Sequence, residues 1–323
     1  MVMRKLILLC VTAGAVALVA GSVARAAGTN TVSYVSSGGA DSPHTCTNPT
    51  TDACATFQYA LTQTVNHGEI DCANTGNYGS TFTIGQSVTI DCAGGVGSTF
   101  GDISINGSGI VVRLRNLSIN NNGNGFDGIN VVNLTALYVE HCVIGNDNSG
   151  PGSPYFGIQF QPSAGTAYLY ITDSVISNNG SSAAGTSSGI YIEPASNVTA
   201  MVTIDRSEIS GNYSGIIADG RSGGIINGAL RDSVVSGNTV YGIGVISSGS
   251  NVWWLLDQTK VSANATGLAA IGSGARMAAR NTSVFNNTTG LTTRTSGAIY
   301  SYGTNSLIGN GTNGAFTGTL AMQ

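Results

Sequence analysis

A unit of about 25 residues returns at least eight times in this chain, and no other feature narrows the fold as far. Its clearest copy is 200–217, AMVTIDRSEISGNYSGII. Aligning Ile209 with Ile119, Ile144, Ile176, Val235, Val261, Val284 and Ile308 gives successive spacings of 25, 32, 33, 26, 26, 23 and 24 residues. Five residues before each anchor stand Leu114, Val139, Ile171, Ile204, Leu230, Leu256, Ala279 and Gly303; two before stand Leu117, Cys142, Ser174, Ser207, Ser233, Thr259, Thr282 and Ser306. Three after it come Asn122, Asp147, Asn179, Asn212, Asn238, Asn264 and Asn287, then Gly311. A Gly-aliphatic pair closes each unit: Gly128-Ile129, Gly157-Ile158, Gly189-Ile190, Gly215-Ile216, Gly242-Ile243, Gly267-Leu268 and Gly290-Leu291.

Within each unit apolar and polar residues alternate in short runs, the period of a strand. An Asn repeated at one turn position can bond its own backbone and stack amide on amide from unit to unit. Such coils, each with two or three short strands, describe a parallel β-helix. Leucine-rich and helical repeats are excluded, because neither regular leucines nor helix-forming runs recur.

Residues 1–26 have the form of a secretory signal peptide: Arg4 and Lys5, an apolar run over 6–20, then Ala24-Arg25-Ala26. Residues 27–109 are expected to hold a cap and the first coils, and 110–323 the repeated coils of the same domain. Without the leader, nine basic side chains face sixteen acidic ones, a net charge near −7 that argues against nucleic acid. No second apolar run is long enough to span a membrane. The expected location is secreted or periplasmic.

Five cysteines follow the leader. Cys46 and Cys54 flank a Pro-containing turn, while Cys72 and Cys92 end two similar runs, so the expected pairs are Cys46–Cys54 and Cys72–Cys92. Cys142 falls in the small inward column and reads as a buried, inert thiol. Residues 53–65 read as a capping helix, with Cys54, Phe57, Leu61 and Val65 on one face and Thr51 or Asp52 at its start. First coils follow at Ile70, Phe82-Thr83-Ile84, Val88-Thr89-Ile90 and Ile103-Ser104-Ile105.

TFQYALTQTVNHGEIDC, then Ser87-Val88-Thr89-Ile90-Asp91-Cys92, then rungs such as DSVISNNG, SEISGNYSGI and DSVVSGNTVYGI, resemble the right-handed parallel β-helix proteins of the pectin lyase-like superfamily. The resemblance covers essentially the whole chain after the leader. It implies an all-β, right-handed solenoid with a short N-terminal capping helix and a carbohydrate partner. That superfamily includes lyases, hydrolases, esterases, epimerases and members without known catalysis, so the fold alone assigns no reaction. The motifs of its polygalacturonases are missing here, and Lys260, the one Lys after the leader, has no acidic cluster in its column. No cofactor or metal is expected, since neither calcium nonapeptides nor metal-spaced His pairs occur.

Two places on the coils invite chemistry. Glu193 and Asp219 occupy one column on neighbouring coils with no cation apparent between them, so they are a candidate acid–base dyad. Insertions at 145–156 and 177–188 can wall a groove beside them. Arg113, Tyr138 and Tyr170 form an outward column, a candidate platform for sugar faces. Other charges alternate from coil to coil: Asp205, Arg231, Asp257, Arg280 in one column, and Arg206 between Asp173 and Asp232 in the next. Each such pair is worth about 0–1 kcal/mol and mainly sets register. The sequons at Asn212, Asn264 and Asn287 read as structural turn residues of a bacterial protein. Three functions remain in play: a polysaccharide-binding β-helix without catalysis, a glycan hydrolase or lyase, and a rigid adhesive scaffold.

Overall fold

The structure is a computed structural model and describes residues 28–94, 97–99, 101–120, 127–145, 154–181 and 187–321. The expected signal peptide, Asn122 and Asp147 lie outside them. Three sheets of 12, 10 and 9 strands run the length of the described chain, and neighbours in each sheet are successive coils paired in parallel. The chain is a right-handed parallel β-helix, the hand that parallel crossovers within one sheet take.

Its core is the set of columns that alternation points inward. Ile119, Ile144, Ile176, Ile209, Val235, Val261 and Val284 lie side by side in the 10-stranded sheet, each no more than 1% exposed. The eighth member is corrected. Val284 faces Leu307, whereas Ile308 faces Phe285 and is 66% exposed. A one-residue shift exchanges the two faces of a strand, so the last coil is read from Leu307. In the 12-stranded sheet Ala279 faces Ser301, two places before the expected Gly303, and Asn305, not Ser306, accepts the Thr282 N–H.

The same shift completes the amide ladder. Each of Asn179, Asn212, Asn238, Asn264 and Asn287 donates its backbone N–H and its Nδ2 to the Oδ1 of the next Asn, ending on Asn310. Each Nδ2 also reaches a carbonyl of the coil behind, as Asn238 does with Ile209 at 3.3 Å. The amides thus satisfy backbone groups that the corner leaves unpaired. A Cβ at Gly215 would lie 2.4 Å from the Gly242 carbonyl oxygen and 3.0 Å from Asn238 Nδ2, which is why glycine closes each unit. Asn212, Asn264 and Asn287 are at most 2% exposed, as structural residues must be.

At the other corner, Asn116, His141, Asp173, Arg206, Asp232, Gln258 and Asn281 all adopt left-handed backbone, with φ between 44° and 56°. The charged columns meet here. Arg206 grips Asp173 through two bonds of 2.9 Å and also pairs with Asp205, and Arg280 pairs with Asp257 at 2.6 Å. Among the described residues Arg231 makes no ion pair, so the expected alternation holds only in part.

The capping helix is shorter than expected. α1 spans Phe57–Gln63, and Thr56 rather than Thr51 or Asp52 caps it by accepting the Tyr59 N–H. Asp41 accepts the N–H groups of Ala55 and Thr56, which keeps them out of a helix, while Thr64 and Val65 belong to the strand Thr64–Cys72. Phe57, Ala60 and Leu61 cover the first coil, with Phe57 packed on Tyr78 and Phe82. Both expected disulfides are present, Cys46–Cys54 and Cys72–Cys92. Cys142 is buried, and desolvation pushes its thiol up to about 12, so it is inert at neutral pH.

In the 12-stranded sheet, one inward column runs Val202, Gly228, Trp254, Met277. Trp254 is fully buried, and its ring edge occupies the space where a side chain at Gly228 would stand.

Candidate functional site

The outer face of the 12-stranded sheet carries Arg113, Tyr138, Tyr170, Thr203, Ala229 and Leu255 in one register column. The Tyr138 and Tyr170 rings stack with centroids 4.8 Å apart and planes 14° apart. That separation is the strand spacing of a sheet, so the rings are piled along the solenoid axis. The expected flat platform is therefore corrected to a pile whose inner faces are occupied by each other. Arg113 closes one end, its Cζ 4.3 Å from the Tyr138 centroid, and Glu140 holds that guanidinium at 2.9 Å.

The other end is open. Beyond Tyr170 the next two side chains of the column are Thr203 and Ala229, both small. Tyr168, parallel to Tyr170 within 3° and 6.2 Å away, widens the last ring into a wall two rings broad. This wall faces a hollow of about 300 Å³, floored by Thr203, Gly228 and Ala229 and edged by Met201, Asn227 and Leu255. Among the described residues the hydroxyls of Tyr168, Tyr170 and Thr203 have no protein partner; Asn227 makes one long contact with Met201 Sδ at 3.6 Å. Burial, with Tyr138 and Tyr168 beside it, raises the Tyr170 pKa, so its hydroxyl stays a donor. Farther along, Trp253 is 38% exposed and stacks near Tyr300, with Arg276 above it.

Glu193 and Asp219 do come onto adjacent coils, next to the paired residues Ile192 and Ala218. The expectation of an uncompensated pair is corrected. Asp219 is fully buried and receives the Arg221 backbone N–H at 2.9 Å, its Nε at 3.0 Å and its Nη2 at 2.5 Å. Tyr191, stacked on Phe156 at 4.6 Å, donates its hydroxyl to the same carboxylate at 3.3 Å. Glu193 accepts from Gln161 Nε2 at 2.7 Å and from Ser222 Oγ at 2.6 Å. Every carboxylate oxygen of the pair thus has a donor. Asp219 raises the Arg221 pKa and seats its half-exposed guanidinium firmly. The arrangement positions a cation more readily than it shuttles a proton.

Sequence comparison of coils missed two other acidic places. Asp71 and Asp91 are cross-strand neighbours, and burial, then Glu69 and Asp91, raise Asp71 to about 6. Asp127 accepts the Phe156 N–H at 3.0 Å, yet burial, helped by nearby Asp102, raises it to about 7; Asp102 itself is raised to about 6 by burial. Among the described residues no three His, Cys, Asp or Glu converge as metal ligands would.

These shifts carry a pH dependence with a definite sign. A folded-state pKa above the unfolded value means that the native state holds the proton more tightly, so stability falls as pH rises from about 4 to about 7. Asp127→Asn removes that penalty. Its unfolding midpoint is expected to exceed the parent's at pH 8, by up to about 4 kcal/mol in stability, and to match it near pH 4. Urea titrations at the two pH values check this; an equal effect at both would assign the change to packing instead.

No protein-family model matches the chain, and no curated protein matches its sequence. Among solved structures it is similar to "Crystal structure of pectate lyase Pel9A", at 14% identity over 85% of this chain and 78% of that one, with a TM-score of 0.49.

Proposed function

We propose that this chain is an exported β-helix protein that binds polysaccharide on the outer face of its 12-stranded sheet and does not cleave it. The observation that carries this is the Tyr168–Tyr170 wall facing an open hollow. A sugar ring has an apolar C–H face and a rim of hydroxyls. The wall offers the first a flat aromatic surface, and the unpartnered hydroxyls of Tyr168, Tyr170 and Thr203 suit the second. The two disulfides favour an oxidising compartment, in keeping with a leader at 1–26. The cap and first coils over 27–109 and the coils over 110–323 would form a single unit carrying this face.

Catalysis by Glu193 and Asp219 is the weaker reading, because each is already engaged by neighbouring donors. Affinity electrophoresis of the full chain through gels containing soluble polysaccharides tests the proposal. Retardation by at least one polymer is expected, with Tyr170→Ala weakening it about tenfold, the value of one lost ring contact. New reducing ends in the same samples would overturn the non-catalytic part. Absence of retardation together with concentration-dependent self-association, relieved in Tyr170→Ala, would replace binding by a scaffold role.

A further inference from the structure

We propose that the glycan held in the Tyr170 hollow is uncharged; the inference rests on the polysaccharide-binding reading and narrows its ligand. The residues that line the hollow are Tyr, Met, Val, Thr, Asn, Gly, Ala and Leu, with no ionisable acid or base among them apart from two phenols. A carboxylate or sulfate placed there would lose water and gain no cation.

None of the nearby cations lines the hollow. Arg113 lies at the far end of the tyrosine pile, stacked on Tyr138 and paired with Glu140. Arg276 sits over Trp253. Arg231, two residues along the strand from Ala229, does not line the hollow, and it stands in register between the carboxylates of Asp205 and Asp257. An anionic sugar approaching from that side would meet both acids as well as the guanidinium.

The polar groups that do line it are neutral, and among the described residues their hydroxyls have no partner. The Tyr168, Tyr170 and Thr203 hydroxyls can each donate and accept, and Asn227 keeps its Oδ1 available, which matches sugar hydroxyls. From the Tyr170 rung to the Leu255 rung is three coil spacings, about 14 Å, so a ring stacked on Tyr170 has room over Thr203 and Ala229.

Isothermal titration of the full chain with two panels tests this: neutral oligosaccharides (hexamers of β-1,4-glucan, mannan and xylan) and oligogalacturonate of matched length. Each is run at about 20 mM and about 500 mM NaCl, where screening separates charged from uncharged recognition. At least one neutral hexamer is expected to bind, with affinity changing less than about twofold between the salts. Tyr170→Ala should weaken it about tenfold, and Tyr170→Phe less, since the ring remains. Ala229→Leu, at a half-buried outer position, fills the hollow without touching the wall and should weaken binding comparably. Salt-sensitive binding of oligogalacturonate alone would overturn the uncharged ligand while leaving polysaccharide binding intact. Failure of both panels would overturn both. Neutral binding indifferent to both Tyr170→Ala and Ala229→Leu would overturn the location.

Discussion

Asn238→Ala is expected to cost about 3–5 kcal/mol, among the largest losses any single side chain here can produce. Asn238 is 1% exposed, and its amide acts in two directions at once. Its Oδ1 accepts both the backbone N–H and the Nδ2 of Asn212, and its Nδ2 serves the Ile209 carbonyl and the Asn264 Oδ1. Alanine strands the Asn212 N–H and the Ile209 carbonyl in a corner that water does not reach. Leaving a buried polar group unpaired costs about 1–3 kcal/mol each. Urea unfolding followed by circular dichroism measures the loss. Asn310→Ala is the control: that residue ends the ladder in the exposed last coil, so about 1 kcal/mol is expected. Equal losses at the two positions would refute the ladder as a load shared by buried coils.

Gly228→Ala is the second. A Cβ there would lie 2.1 Å from Trp254 Cε3 and 2.2 Å from Cζ3, and the indole is fully buried with nowhere to retreat. Overpacking of this kind costs about 3 kcal/mol. Trp254→Leu alone leaves a cavity and costs a similar amount, but in the double variant the methyl occupies part of the vacated space. The two losses should therefore fall short of additive by at least about 1 kcal/mol. Strict additivity in the double-mutant cycle would mean that Gly228 is required for its backbone and not for the room it leaves.

The coils were legible because their chemistry repeats. Small hydroxyl residues, Asn and Gly recur at fixed offsets, and each offset has a steric or hydrogen-bonding cause that holds on every coil. Reading failed where that repetition lapsed. At the last coil Leu307 and Ile308 are both apolar, and hydrophobicity alone cannot choose between them; Asn310, three residues after Leu307, carried the signal. The cap was overlong at both ends: apolar spacing continues through Val65, which belongs to the strand Thr64–Cys72, and the start is held back by Asp41, distant in sequence.

The candidate sites were legible as columns but not as geometry. Stacking Arg113, Tyr138 and Tyr170 follows from register, yet the direction in which the rings pile, and so which face stays open, depends on rotamers. Tyr168 was missed because it shares a strand with Tyr170 rather than a column. Arg221 was missed for the same reason: it lies two residues after Asp219 along the turn, where comparison between coils does not look. Half-buried Asp102 and Asp127 sit in neighbouring columns, and the desolvation of a carboxylate leaves no mark in sequence.

One consequence of the coil pairing concerns size. The gap between the Tyr170 wall and Leu255 is set by how many turns of chain intervene, so it changes only in whole steps of about 4.8 Å. Duplicating or deleting a turn between them would regauge the opening in one genetic event, while the amides and glycines of the flanking turns meet equivalent neighbours as before. A family of such chains would sort ligands by an integer, with the rest of the rod indifferent to its value.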